Sequence, residues 1–339
     1  MALALRPLAH KLSVYLGLVD KGEVERKTQD RHVPCSGGIL ILGSSAVGFL
    51  LLMAMWELFG SQYQDIISPE ILINSRQGLG VIFGVMTIFF LGALDDRWGM
   101  APMVKLALQG VIILMSLLLS ELRMTFFVEK EWINLLGTLF WVILITNAFN
   151  LIDNMDGLCS MVAIIVLGLH GVLLSMLDHW LLAGVCWLIL GPTLVFLGHN
   201  RPKAKIYLGD SGSLSLGFCI AMLCVVTTYY HEGQPLTSIL TPILMMAVPL
   251  FDVLTVMIHR WKNGHPLMRG DRNHVSHRLL ERGLSEGQVL LILGGVTLTT
   301  GISSILIHRG DDVIGICVVL QTILTLVVFH GLGRRRALH

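Results

Sequence analysis

Ten runs of mostly apolar residues succeed one another along the chain: 37–60, 77–94, 101–120, 134–152, 157–177, 180–199, 211–230, 237–258, 288–308 and 312–332. About 20 apolar residues suffice to cross a bilayer as helix. The runs are rich in Leu, Met and Ala and lack the strict alternation of barrel strands, so helices are expected. The pattern predicts an all-α polytopic integral membrane protein with about ten transmembrane helices. No internal repeat, low-complexity tract or second soluble domain interrupts it. Residues 1–339 read as a single domain, with 259–287 as a basic, histidine-containing loop.

Charge gives the direction of threading. With the N-terminal segment in the cytosol, alternation places 20 Lys and Arg on the cytosolic side. Only Arg76, Arg123, Lys130 and Arg309 fall outside. That is the bias expected of an inner-membrane protein. Trp56, Trp98, Trp132, Trp180 and Trp261 lie near span ends, as an interfacial belt would. Composition agrees: 54 % of the 339 residues are hydrophobic and 14 % charged, against roughly 25 % charged in soluble domains. The net charge of +1 argues against a nucleic-acid partner. Six cysteines form no CxxC pair and fall mostly inside apolar runs, so packing is their expected role. Residues 1–19 have no stretch suited to a cleavable signal.

Polar clusters gather on the predicted cytosolic face. The fourth and fifth runs meet in NAFNLIDNMDGL, where Asn147, Asn150, Asp153 and Asp156 follow at intervals of three. Such groups are costly in lipid unless they face a wet cavity or one another. Asp95-Asp96 closes the second run, although two acids at a helix C-terminus oppose its dipole and repel unless a cation lies between them. Asp210 sits in Leu-Gly-Asp-Ser-Gly-Ser just before the seventh run, either as a helix cap or, with Asp95, Asp96 and Asp153, as a hard oxygen ligand for Mg²⁺. Lys105 should reach back towards Asp95-Asp96, to snorkel or to contact phosphate. His274 and His277 share a loop with Arg269, Arg272 and Arg278, which reads as positive-inside excess or as a phosphate-binding patch. Acids, a metal and cationic loops at a membrane imply an anionic, phosphorylated substrate meeting a lipid.

These motifs carry a family resemblance. GLVDKGEVERK (17–27), VPCSGGI (33–39), LGALDDRWG, NAFNLIDNMDGL, YLGDSGSLSLGF, VPLFD (248–252) and GDRNHVSHRL (270–279) resemble, in order and spacing, the polyprenyl-phosphate N-acetylhexosamine-1-phosphate transferases. The resemblance implies transfer of a sugar phosphate from a UDP-sugar to a polyprenyl phosphate at the bilayer, with Mg²⁺ or Mn²⁺ as cofactor. Assembly as a homodimer is left open. It implies that Asp153 and Asp156 meet the nucleoside and that Asn200 and Tyr207 close on the uracil. Asn150 and Lys105 would lie on the pyrophosphate side, with Asn150 and Asp210 at the metal. Asp95 and Asp96 would sit beside the metal and the lipid phosphate, as catalytic groups. His274, Arg272 and His277 would face sugar and phosphate. Direct attack, without a covalent enzyme intermediate, is expected.

Two features depart from the family. Only 16 residues precede GLVD, so the family's first span is expected to be missing or shortened. The usual His-x-His-His reads His274-Val275-Ser276-His277, so the middle histidine's role does not transfer. The loop looks closer to the branch using UDP-N-acetylglucosamine than to the muramoyl-pentapeptide branch. An ion-coupled transporter is the competing class, with Pro249 and Asp252 inside the eighth run as its best points. A kinked helix lining the site explains these two residues equally well.

Overall fold

All ten apolar runs fold as helix in a computed structural model that describes residues 1–20, 33–59, 75–125, 128–227, 229, 235–266 and 273–333. The helices are α1 (Ala2–Tyr15), α2 (Gly37–Phe59), α3 (Arg76–Trp98), α4 (Pro102–Ser120), α5 (Glu131–Ile152), α6 (Leu158–Met176) and α7 (Trp180–Asn200). They continue as α8 (Gly209–Val226), α9 (Thr241–Met245), α10 (Ala247–Lys262), α11 (Val275–Leu280), α12 (Glu286–Leu306) and α13 (Asp312–Gly333). Among the described residues nine helices are long and apolar enough to cross a membrane. The eighth predicted run, 237–258, is not a single helix. It is a pair, Leu236–Met245 and Ala247–Lys262, bent by 69° at the break. Pro249 lies in the first turn of α10. Its nitrogen cannot donate to the carbonyl of Met245, so the helix cannot run straight through.

The helices alternate in direction, so that the polar motifs collect at one end of the bundle. Thr241 of α9 hydrogen-bonds His308 at the far end (2.9 Å), while Asp252 of α10 bonds His274 at the motif end (2.7 Å). The bent pair therefore runs from one end to the other. Upstream, α1 spans 14 residues, roughly 21 Å at 1.5 Å per residue, and packs on α2 and α7. Arg6 of α1 donates to His199 Nε2 of α7 (2.8 Å). Apart from helix there is a two-residue antiparallel ladder, Val19–Asp20 with Val33–Pro34, continued by a bridge between Cys35 and Tyr207. It fastens the chain entering α2 to the chain entering α8. The six cysteines are free and all but Cys317 are buried, as packing residues would be.

At the centre stands α8. Every residue from Ser211 to Val225 is buried, and α2, α3, α5 and α6 pack around it. Its sequence explains this: Gly, Ser, Ala and Cys recur, and small residues let helix backbones approach closely in lipid, where no hydrophobic force drives association. The neighbours are matched. A Cβ added to Gly92 of α3 would meet the backbone of Asp210 and Ser211 at 2.5 Å, and one added to Gly38 of α2 would meet Gly212 at 2.7 Å. Gly43 of α2 faces open space.

Gly92→Val and Gly43→Val share the propensity cost of a β-branched residue in a helix. Only the first overpacks, at about 1–3 kcal/mol. The thermal midpoint of the detergent-solubilised protein should fall for Gly92→Val and stay near the parent value for Gly43→Val. Equal shifts would contradict this packing.

Candidate active site

Asp95 and Asp96 lie inside the last turn of α3, a turn beyond the predicted boundary. The helix ends at Gly99, whose φ of 68° suits glycine and whose N–H returns to the Asp95 carbonyl. Neighbouring residues on a helix point about 100° apart, and the two carboxylates separate accordingly. Asp96 turns to α8, where its oxygens accept the N–H groups of Asp210 (2.7 Å) and Ser211 (3.0 Å). These are orphan donors of a helix N-terminus, and a carboxylate suits both the donors and the dipole. A cation shared by the pair is therefore not what the side chains provide. Asp96 caps α8, and Asp210 is not itself the cap.

Asp95 turns to Lys105, in the first turn of α4. Lys105 Nζ lies 2.8 Å from Asp95 Oδ2 and 2.6 Å from Asp210 Oδ2, and donates to Asn150 Oδ1 at 3.3 Å. Asn150 closes the set through its amide, donating to Asp210 Oδ1 (2.6 Å) and Ser213 Oγ (2.9 Å). Asp95 Oδ1 also accepts the N–H of Met100 (2.5 Å). The side chains are 10 % (Asp95), 13 % (Lys105) and 32 % (Asp210) exposed. The ion pairs are thus largely out of water, with Asp210 the most open to a ligand. Four helices, α3, α4, α5 and α8, contribute one group each.

The run NAFNLIDNMDGL resolves into four separate jobs. Residues three apart lie only about 60° apart around a helix, but the helix ends at Ile152, so only Asn147 and Asn150 share it and Asp153 and Asp156 follow in the loop. Asn147 points into the bundle and donates to Gln109 Oε1 (2.7 Å) and to the Ile143 carbonyl (2.8 Å). Asn150 joins the quartet. Asp153 ends α5, and Asp156 accepts the N–H of Ala204 (2.9 Å). Asn200 is the buried clamp between this loop and the chain after α7. Its Oδ1 accepts from Gly157 N–H (3.0 Å) and Ser160 (3.4 Å), and its Nδ2 donates to the Ile206 carbonyl (3.0 Å). With 3 % exposure it faces protein, so the expected contact with uracil is replaced by a structural one. Tyr207 is fixed through its backbone, accepting from Gly37 N–H and donating to the Pro34 carbonyl (both 3.0 Å).

The histidine loop reaches the same end through α11. His274 is buried and bonded to Asp252. The His277 ring lies 6.3 Å from that of His274. Ser276, in the family's middle-histidine position, donates to Asn154 Oδ1 (2.5 Å) and ties α11 to the end of α5. Burial holds the Arg278 guanidinium below the usual arginine range, against the pull of Asp252's charge, and its Nε and Nη2 make no hydrogen bond. Arg269 and Arg272 of this loop, and residues 21–27 of the GLVDKGEVERK stretch, lie outside the described residues. Residues not expected from sequence as parts of the site are Gln109, Ser213 and Asn154, while Asp252 is expected only as part of a kinked helix lining it. Only Asp252 carried a signal, a carboxylate three residues after a proline in an apolar run.

Among the described residues no three His, Cys, Asp or Glu side chains converge closely enough to hold a metal unaided. The donors that do converge, Asp95, Asp210 and Asn150, are hard oxygens already gathered around a cationic group. This fits Mg²⁺, which is bound through one or two carboxylates together with water and substrate phosphates.

Asn200→Ala leaves a buried N–H and a buried carbonyl unpaired, about 1–3 kcal/mol each. It should lower the thermal midpoint markedly. A midpoint unchanged beside a raised KM for a nucleotide donor would return Asn200 to ligand binding.

The family description "Glycosyl transferase family 4" matches residues 79–228, which carry the whole quartet, Asn200 and Tyr207. A relative from Bacillus subtilis (strain 168), "Probable undecaprenyl-phosphate N-acetylglucosaminyl 1-phosphate transferase", is 30% identical over 314 residues, 90% of this chain and 81% of the relative. An "Undecaprenyl-phosphate alpha-N-acetylglucosaminyl 1-phosphate transferase" from Yersinia pestis is 26% identical over 84% of this chain and 76% of its own. One of the same name from Escherichia coli (strain K12) is 25% identical over 84% of this chain and 75% of its own. The match to the Bacillus relative runs through nearly the whole chain at this identity, and with it the chain belongs to glycosyl transferase family 4.

Proposed function

We propose that the protein transfers N-acetylglucosamine 1-phosphate from UDP-N-acetylglucosamine to a polyprenyl phosphate, releasing UMP, on the cytosolic face of the inner membrane. The observation that carries this reading is the meeting of Asp95, Lys105, Asn150 and Asp210 at one end of an apolar bundle. The names of the relatives support the sugar and the carrier. The excess of Lys and Arg at the same end supports the cytosolic side.

The reaction brings three phosphates together. An oxygen of the lipid phosphate attacks the sugar-linked phosphorus of the donor. A new P–O–P linkage forms, the bond to the UMP oxygen breaks, and UMP leaves with the electron pair. A phosphate monoester has its second pKa near 6, so much of the acceptor is already a dianion at pH 7 and needs no strong base. Asp95 then serves to orient Lys105 and the neighbouring oxygens. Lys105 supplies positive charge where the phosphates must gather. Asp210, Asn150 and Asp95 would hold Mg²⁺, or Mn²⁺ in its place. When bound, such an ion offsets the repulsion between phosphates and polarises the diphosphate. Ammonium and metal draw on the same three side-chain oxygens. Asp153, Asp156 and Tyr207 border the loops that would receive the nucleoside. The transporter reading loses ground because the carboxylates sit at helix ends and not at mid-bundle.

The test is turnover in liposomes with labelled UDP-N-acetylglucosamine, polyprenyl phosphate and Mg²⁺. Label should enter the lipid phase with UMP released. Asp210→Asn and chelation should each cost at least about 100-fold. Transfer only from UDP-N-acetylmuramoyl-pentapeptide would move the protein to the other branch, and a trapped phospho-enzyme would exclude direct attack.

A further inference from the structure

We infer that Asp252 is a positioning residue that fixes the tautomer of His274, so that Nε2 is the atom presented to a substrate phosphate. The inference rests on the transferase reading. His274 and Asp252 are each 4 % exposed. His274 Nδ1–H donates to Asp252 Oδ2 (2.7 Å), and the N–H of Val275 donates to Asp252 Oδ1 (2.8 Å). One carboxylate thus grips both the ring and the backbone that follows it, and the ring cannot turn without losing the shorter bond. With Nδ1 committed as the donor, Nε2 is an acceptor in the neutral ring and a donor in the imidazolium. Among the described residues the Nδ1 contact is the ring's one hydrogen bond, which leaves Nε2 for a ligand.

Position supports a phosphate as that ligand. Ser276 holds Asn154, and Asn154 donates back to the Leu151 carbonyl (2.9 Å), so α11 is seated on the last turn of α5. That turn also carries Asn150 of the quartet. The imidazolium, with Nδ1–H on Asp252, is the form whose Nε2–H donates to a phosphate oxygen. The break before α10 belongs to the same device. Asp252 lies three residues beyond Pro249, so the 69° bend sets the direction from which the carboxylate meets the loop. A single straight helix over 237–258 would carry Asp252 along another line.

Asp252→Asn separates this role from simple capping. The amide oxygen still accepts the Val275 N–H, but its NH₂ faces Nδ1, so the ring is held neutral with its one proton on Nε2 and the charged, doubly protonated form that meets the phosphate is lost. In turnover assays Asp252→Asn should lower kcat/KM by about 100-fold, and in a His274→Ala background it should cost less than about two-fold, since the two act through one ring. The same fold-loss in both backgrounds, or parent-like activity of Asp252→Asn, would overturn the inference. A second readout does not depend on turnover. In ¹⁵N-histidine spectra, the signal absent from His274→Ala should report a protonated Nδ1 in the parent and a proton on Nε2 in Asp252→Asn. An unchanged tautomer would overturn the inference even if the parent transfers no sugar, and a switched one would sustain it while the transferase reading fails separately.

Discussion

A single ammonium group organises the polar end of this bundle. Lys105 Nζ lies within hydrogen-bonding reach of Asp95, Asp210 and Asn150, which come from three other helices. Two carboxylates so close together would repel in a mostly desolvated place, and the cation between them makes the arrangement stable. Helices that in lipid have only close packing to hold them are joined here by charge. The group that reconciles the carboxylates also makes the place attractive to phosphate, so the requirements of folding and of binding coincide.

The packing of α8 makes this meeting possible. Its small residues let α3 approach until Asp96 can take the amides of Asp210 and Ser211. That contact fixes the first turn of α8, and with it the direction of Asp210. Labour is thereby divided between adjacent acids, Asp96 holding the helix and Asp95 meeting the cation. Asn200 repeats the pattern around the loop after α5, using its whole amide on protein so that Asp153 and Asp156 have a fixed frame. Polar groups bonded only to protein thus hold those that the proposed reaction uses.

The apolar runs were enough to read ten helical segments, because a bilayer permits few other ways of satisfying a backbone. The Lys and Arg bias predicts which end faces the cytosol for the same kind of reason. The break at Met246 was not legible, since the hydropathy of 237–258 continues across it, although Pro249 marks its place. For the site, span-end positions led sequence to group Asp95, Asp96, Asp153 and Asp210 with Lys105 nearby, and the family resemblance added Asn150; the structure brings Asp95, Lys105, Asn150 and Asp210 within hydrogen-bonding reach. It could not separate Asp95 from Asp96, because the direction of each depends on how a distant helix, α8, presents its amides. Nor could it tell that Asn200 is buried, or that the histidine loop is gripped by a carboxylate some twenty residues earlier. Those facts belong to contacts between segments, which spacing along the chain does not encode.

On the proposed reading, Lys105 and a divalent cation answer to the same oxygens. Its most direct test is Mn²⁺ uptake by the protein in nanodiscs without donor or lipid phosphate, followed by the electron paramagnetic resonance of the free ion. Removing the competing charge with Lys105→Gln should tighten Mn²⁺ binding relative to the parent, and Asp210→Asn should abolish it. Binding that is unchanged or weaker in Lys105→Gln, or unaffected by Asp210→Asn, would place the metal elsewhere and contradict the account.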